Sequence, residues 1–180
     1  EASLNFGVTV RPVVLPDGPR GAMARSRSHD RFALLESALP MPRQAQWSYA
    51  AGPAVAILYT DETCTRLELD GRQIASWADP IEALAAVANH HVDSVSVHGD
   101  CPDGFDFVGG WVGVLGYDLG RKAEPWAGKP RHDPALPRQW WMAVDRVLAF
   151  HHPTAQWCQT ALASQIVAEL RKDLLLRGVR

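Results

Sequence analysis

Four glycines fall within eight residues, at positions 109, 110, 113 and 116, inside the apolar stretch Phe105–Tyr117. Glycine carries no Cβ, so such a run belongs where another backbone or helix must come close. The spacing is not that of a dinucleotide fingerprint, which needs GxGxxG between a strand and a helix of a βαβ unit. A phosphate cradle is therefore the weaker reading of Gly109–Glu124. The stronger one is a tightly packed strand-to-helix corner, with Arg121 and Glu124 as a surface i,i+3 pair.

The other apolar stretches are short and bounded by turn residues. Phe32–Ser37 and Gln46–Tyr49 are strand candidates, followed by Gly52-Pro53. Ala54–Tyr59 is a nearly continuous apolar run, expected as a buried strand. Cys64–Leu69 alternates, and Asp70-Gly71 is a hairpin signal that returns the chain through Gln73–Trp77. Asp79-Pro80-Ile81-Glu82 reads as a helix start, with Asp79 as cap, Pro80 at the first helical position and Glu82 completing a capping box. Leu84, Val87, Ala88 and His91 would then share one face. Asp118–Glu124 is expected to be helical and Trp140–Phe150 to be one strand. Antiparallel strands ahead of a few helices, without regular βαβ alternation, predict an α+β fold of mostly antiparallel sheets.

Three segments follow from this pass. Residues 1–30, rich in Pro, Gly, Arg and Ser, are expected to form a loosely ordered lead-in, in which Pro12 weakens a possible strand at Val8–Val14. Residues 31–157 form the folded domain. Residues 158–180 are expected to be an amphipathic helical tail (Gln159–Arg177), with Leu162, Ile166, Val167, Leu170 and Leu174 at helical spacing.

Composition limits the function classes. The chain has 180 residues, 47% hydrophobic and 21% charged, which is a globular profile. A net charge of −2 gives no nucleic-acid footprint. No stretch approaches the roughly 20 apolar residues of a membrane helix, so no membrane partner is expected. Cys64, Cys101 and Cys158 are expected to be reduced thiols of a cytoplasmic protein, and without a CxxC pair they give no zinc site. His90-His91 and His151-His152 are adjacent pairs whose side chains diverge, a poor metal geometry. Asp100, Asp103 and Asp106 lack the distal Glu of a calcium loop. No spacing suggests a Ser-His-Asp arrangement.

Gly109-Gly-Trp-Val-Gly-Val-Leu-Gly-Tyr-Asp-Leu-Gly-Arg-Lys-Ala-Glu124 closely resembles the hallmark of the amino-terminal region of aminodeoxychorismate synthase component I; anthranilate synthase component I has a looser version. Leu34-Leu35-Glu36-Ser37 is similar to an element of the same superfamily. Gln46-Trp47-Ser48-Tyr49, the Asp79-Pro80 helix start and Asp145–His152 follow in family order, so the resemblance covers residues 31–152.

The resemblance implies the amino-terminal part of the anthranilate synthase component I-like fold. It implies a cytoplasmic enzyme subunit whose complete form makes 4-amino-4-deoxychorismate from chorismate and ammonia, on the folate and para-aminobenzoate pathway. Magnesium and the catalytic residues would belong to a carboxy-terminal chorismate-binding region not found in these 180 residues. This chain alone is then expected to hold no cofactor and no catalytic residue. Its partners would be that region, as a missing or separate chain, and a glutamine amidotransferase subunit. Many family members also hold a tryptophan molecule at the Leu-Leu-Glu-Ser element. By position, Glu36, Ser37, Trp47 and Ser48 are the effector-site candidates, against the plainer reading that Glu36 and Ser37 are polar residues at a strand end. Gln46 stands where the family has Arg, which removes a bidentate carboxylate clamp. A stand-alone effector-binding module and a fragment of anthranilate synthase component I are the alternatives.

Overall fold

A computed structural model describes residues 5–16, 18–24, 31–37, 44–88, 94–122, 136–161, 168 and 172. In chain order the elements are β1 (Asn5–Val13), α1 (Pro19–Ala24), β2 (Ala33–Leu35), β3 (Trp47–Ala51), β4 (Ala54–Thr60), β5 (Thr65–Leu69) and β6 (Arg72–Trp77). Then come α2 (Pro80–Ala88), β7 (Ser94–His98), β8 (Gly110–Leu115), a 3-10 helix (Tyr117–Lys122), β9 (Gln139–Val144), β10 (Arg146–His151) and β11 (Gln156–Ala161). The strands form a six-stranded sheet, β2-β3-β10-β11-β1-β7, and a five-stranded sheet, β6-β5-β4-β9-β8. Every pairing is antiparallel except β1 with β7. Among the described residues the fold is thus mostly β, with the short helices α1 and α2 and one 3-10 helix as complete elements, and the expected antiparallel sheets are present.

Local sequence explains several elements directly. Asp70 and Gly71 take φ of 50° and 77°, the left-handed pair that a two-residue hairpin needs between β5 and β6. Asp79 caps α2: its Oδ1 accepts the Ile81 amide at 2.8 Å. The buried line of α2 is Pro80, Ala83 and Val87, with Leu84 half-buried beside it, whereas Ala88 is exposed. This face packs on Ala56, Leu58, Leu67, Leu69, Ala75 and Ala143 of the five-stranded sheet. The opposite face of that sheet, through Ile57, Met142 and Val144, meets Ala51 and Val147 of the six-stranded sheet.

Four expectations are corrected. The first thirty residues are not merely a lead-in: β1 lies inside the six-stranded sheet between β11 and β7, with Val8 fully buried and Val10 nearly so. Pro12 is tolerated because the pairing with β7 ends at Thr9, leaving only β11 beside it. The stretch Trp140–Phe150 is two strands in different sheets, broken at Asp145. The strand β11 runs through Ala161, so Gln159–Ala161 belong to the sheet and not to a tail helix. Beyond Ala161 only Ala168 and Lys172, both helical, are among the described residues. Finally, Cys101 and Cys158, expected to be free thiols, are joined as a disulfide with a Cα–Cα distance of 6.3 Å, and Cys64 is the free cysteine. Sheet pairing decides this contact, because the two cysteines are 57 residues apart in sequence.

Candidate functional site

The four candidate residues come from two neighbouring strands. The short strand β2 pairs antiparallel with β3, matching Leu35 to Tyr49, so Glu36 and Ser37 run on past the end of β2 beside Ser48 and Trp47. The Ser37 amide donates to Ser48 Oγ at 2.9 Å, and Ser37 Oγ donates to the Trp47 carbonyl at 2.8 Å. Ser37, Trp47 and Ser48 are therefore one hydrogen-bonded unit.

Two residues that sequence reasoning missed complete the site. His152 Nε2 lies 2.8 Å from Ser48 Oγ, and its amide donates to the Gln46 carbonyl at 2.9 Å. Ser48 Oγ accepts from the Ser37 amide, and the imidazole tautomer sets which partner donates in the Ser48–His152 contact. The two residues are 104 positions apart, so no local spacing signals the contact. It is a serine–histidine pair that no spacing along the chain suggests. Ser48 is fully buried, however, so the pair pins β3 against the end of β10 and does not present a nucleophile to solvent. The second missed residue is Arg20 of α1. Its guanidinium spans Glu36, with Nε 2.9 Å from both carboxylate oxygens and a second nitrogen 2.9 Å from Oε2.

Trp47 is 7% exposed, and its indole nitrogen has no hydrogen-bond partner among the described residues. Its ring packs edge-on against Phe105 at 5.2 Å and beside His151 at 4.6 Å. Burial lowers the pKa of His151, with the neighbouring His152 charge adding to the effect. His151 Nδ1 sits 2.8 Å from Thr154 Oγ1. Tyr49 flanks the same cluster, and burial raises its phenol pKa.

The arrangement offers an anion and a cation side by side at Glu36 and Arg20, beside the strand that carries buried Ser48. Among the described residues no group of three or more His, Cys, Asp or Glu side chains is placed to hold a metal ion. The pair His90-His91 and the Arg121–Glu124 side chains lie outside the described residues.

No protein-family model matches this chain, and no curated protein matches it. Among solved structures it is similar to anthranilate synthase component I from Streptococcus pneumoniae TIGR4, with a TM-score of 0.45 and 19% identity, over 87% of this chain and 34% of that one. The chain therefore spans about a third of the length of the structure it matches.

Proposed function

We propose that this chain is the amino-terminal portion of an aminodeoxychorismate synthase component I, a scaffold that works only with a chorismate-binding region supplied by further polypeptide. The sequence resemblance is the origin of this reading. The observation that supports it best is the Ser37 amide bonding Ser48 Oγ at 2.9 Å. Two separate segments that carry the resemblance, Leu34–Ser37 and Gln46–Tyr49, are thereby built into one unit on adjacent strands. In the complete enzyme, magnesium and the reacting groups would come from the absent region, and ammonia from a glutamine amidotransferase partner. A cytoplasmic location is part of the same proposal.

The test is reconstitution. Alone, with chorismate, magnesium and ammonium, the chain is expected to form neither aminodeoxychorismate nor anthranilate. Mixed with a separately expressed chorismate-binding region of an aminodeoxychorismate synthase, it is expected to bind that region and raise aminodeoxychorismate formation. Product from the chain alone, or no association with the added region, overturns the reading. Anthranilate in place of aminodeoxychorismate would favour the anthranilate synthase alternative.

A second reading concerns the effector. The Glu36–Arg20 pair presents complementary charges suited to the ammonium and carboxylate of an amino-acid zwitterion. Tryptophan is the amino acid to try first. Calorimetric titration should show binding that Glu36→Gln weakens about tenfold or more, the loss expected when one charge-assisted contact is removed. Equal binding by the parent and the variant removes Glu36 from the site.

A further inference from the structure

We propose that the Cys101–Cys158 disulfide is a redox latch: oxidised, it closes the 99–109 segment over the aromatic face of the six-stranded sheet, and reduced, it releases that segment. Residues 99–109 contain neither helix nor strand and connect β7, at one edge of the six-stranded sheet, to β8, at one edge of the five-stranded sheet. The segment is a cover in the literal sense. Phe105 lies on Trp47 at 5.2 Å and on Tyr49 at 6.1 Å, and Phe107 lies on Tyr49 at 5.7 Å. Cys101, Phe105 and Val108 pack against Val8, Val10, Trp47, Ala149 and Cys158.

The anchors of this cover are few. Thr160 Oγ1 donates to the Val108 carbonyl at 3.2 Å. Gly99 sits against the Val10 carbonyl with φ of 141°, where no side chain would fit. Tyr49 is also hydrogen-bonded to the backbone of Asp106 and Phe107, and the covalent tie is the disulfide, from half-buried Cys101 to fully buried Cys158 on β11. A segment held by scattered contacts and lacking a backbone ladder opens at low cost once a covalent tie is removed. The strand β11, by contrast, stays paired on both sides, to β10 and β1. Reduction therefore frees the cover and leaves the sheet.

The difference in exposure sets the order of events. In a low-molecular-weight thiol–disulfide couple such as glutathione, the Cys101 thiolate attacks glutathione disulfide. A mixed disulfide forms and one glutathione thiolate leaves. The Cys158 sulfur then attacks the Cys101 sulfur and expels the second glutathione thiolate. The two protein thiol protons end on the two glutathione thiols, the protein sulfurs are oxidised and the glutathione disulfide is reduced. Reduction is the same path reversed, entered at Cys101. In a reducing compartment a bond of this kind is characteristically transient and redox-sensing.

The latch stands apart from the chorismate reading, since its readouts need no ligand. The experiment uses the full chain with Cys64→Ser, so that only Cys101 and Cys158 react. It is equilibrated in oxidised or reduced glutathione, then assayed by maleimide labelling and by amide hydrogen exchange. The oxidised form should take no label, and the reduced form should take two. Exchange in residues 100–109 should rise about tenfold or more on reduction, while β4 and β5 stay protected. Adding Cys101→Ser should give the fast-exchanging segment even in oxidised glutathione. Failure of the bond to form, or equal exchange in both states, overturns the latch. Loss of protection throughout β4 and β5 on reduction also overturns it, because the bond would then be a global staple.

Discussion

The amide of Gly52 donates to the carbonyl of Arg146 at 3.0 Å, at the point where two antiparallel strands leave one sheet for the other. On one side of this bond β3 pairs with β10, Ala51 facing Val147; on the other β4 pairs with β9, Ala54 facing Val144. The register carries through the corner as far as Ala54 and shifts between Ala54 and Ala56. One bent ribbon therefore belongs to both sheets, and the buried cluster of Ala51, Ile57, Met142, Val144 and Val147 fills its inner angle. Gly52 has φ of 135°, and a Cβ there would stand 2.8 Å from the Arg31 carbonyl and 2.8 Å from the Phe32 ring. The corner needs glycine on both counts.

The glycines of β8 separate into two physical cases. A Cβ on Gly113 would meet the Trp140 carbonyl and stand 2.7 Å from Trp141 Cα. Gly110 has open space around it but φ of 125°. The sequence reading expects crowding in this run, and it occurs at Gly113, not at Gly110. Gly113→Ala should cost about 1–3 kcal/mol or more by overpacking, and Gly113→Val more still. Gly110→Ala should cost about 1–3 kcal/mol through backbone strain alone. Gly110→Val should cost more than Gly110→Ala, because a β-branched residue fits positive φ worse still. Urea denaturation of the four variants checks this; a Gly113→Ala variant as stable as the parent contradicts the assignment.

Removing the Ser48 hydroxyl leaves the Ser37 amide and the His152 ring without a shared partner. Ser48→Ala should destabilise the chain by about 1–3 kcal/mol, the usual cost of stranding buried polar groups. A double-mutant cycle with His152→Ala should return a coupling of about 0.5 kcal/mol or more. Additive losses would show that the two side chains do not interact.

The buried ring of His151 favours the neutral form, so its folded pKa lies below the ordinary histidine value of about 6.5. As pH falls below that value the unfolded chain takes up the proton first, and the equilibrium moves toward it. The contribution of His151 is thus fully present above about pH 6.5 and lost as pH falls through the depressed folded value. His151→Gln should flatten the stability profile across that window. A parent and variant with parallel profiles would exclude His151 as the source.

One edge of the five-stranded sheet leaves large apolar side chains exposed. The strand β8 is at the edge of its sheet, with Val114 59% and Leu115 51% exposed and Tyr117 close behind at 96%. Most of Trp140–Phe150 is buried or half-buried in the two sheets. A bare edge of this kind templates pairing with other chains, and a lysine on it opposes such pairing. Val114→Lys should reduce self-association in sedimentation velocity. An unchanged distribution of species would place the contact elsewhere.

Much of the local structure is written in the sequence. Asp70-Gly71 sets a hairpin, Asp79-Pro80 starts a helix, and Ala54–Tyr59 is a buried strand, because each rests on contacts within a few residues. The same holds for part of the site: Ser37 and Ser48, singled out by resemblance, meet across β2 and β3. What the sequence could not reveal depends on partners far along the chain. A single apolar stretch, Trp140–Phe150, divides between two sheets because β4 draws one half and β3 the other. The strand β7 alternates Ser and Val over only five residues, and its place in the sheet is set by its parallel pairing to β1. His152 reaches Ser48, Arg20 reaches Glu36 and Cys101 reaches Cys158 only after the sheets assemble. Local propensity is read within a turn or two of backbone, whereas register and sheet order come from burying distant apolar faces together, and that is decided by the folded whole.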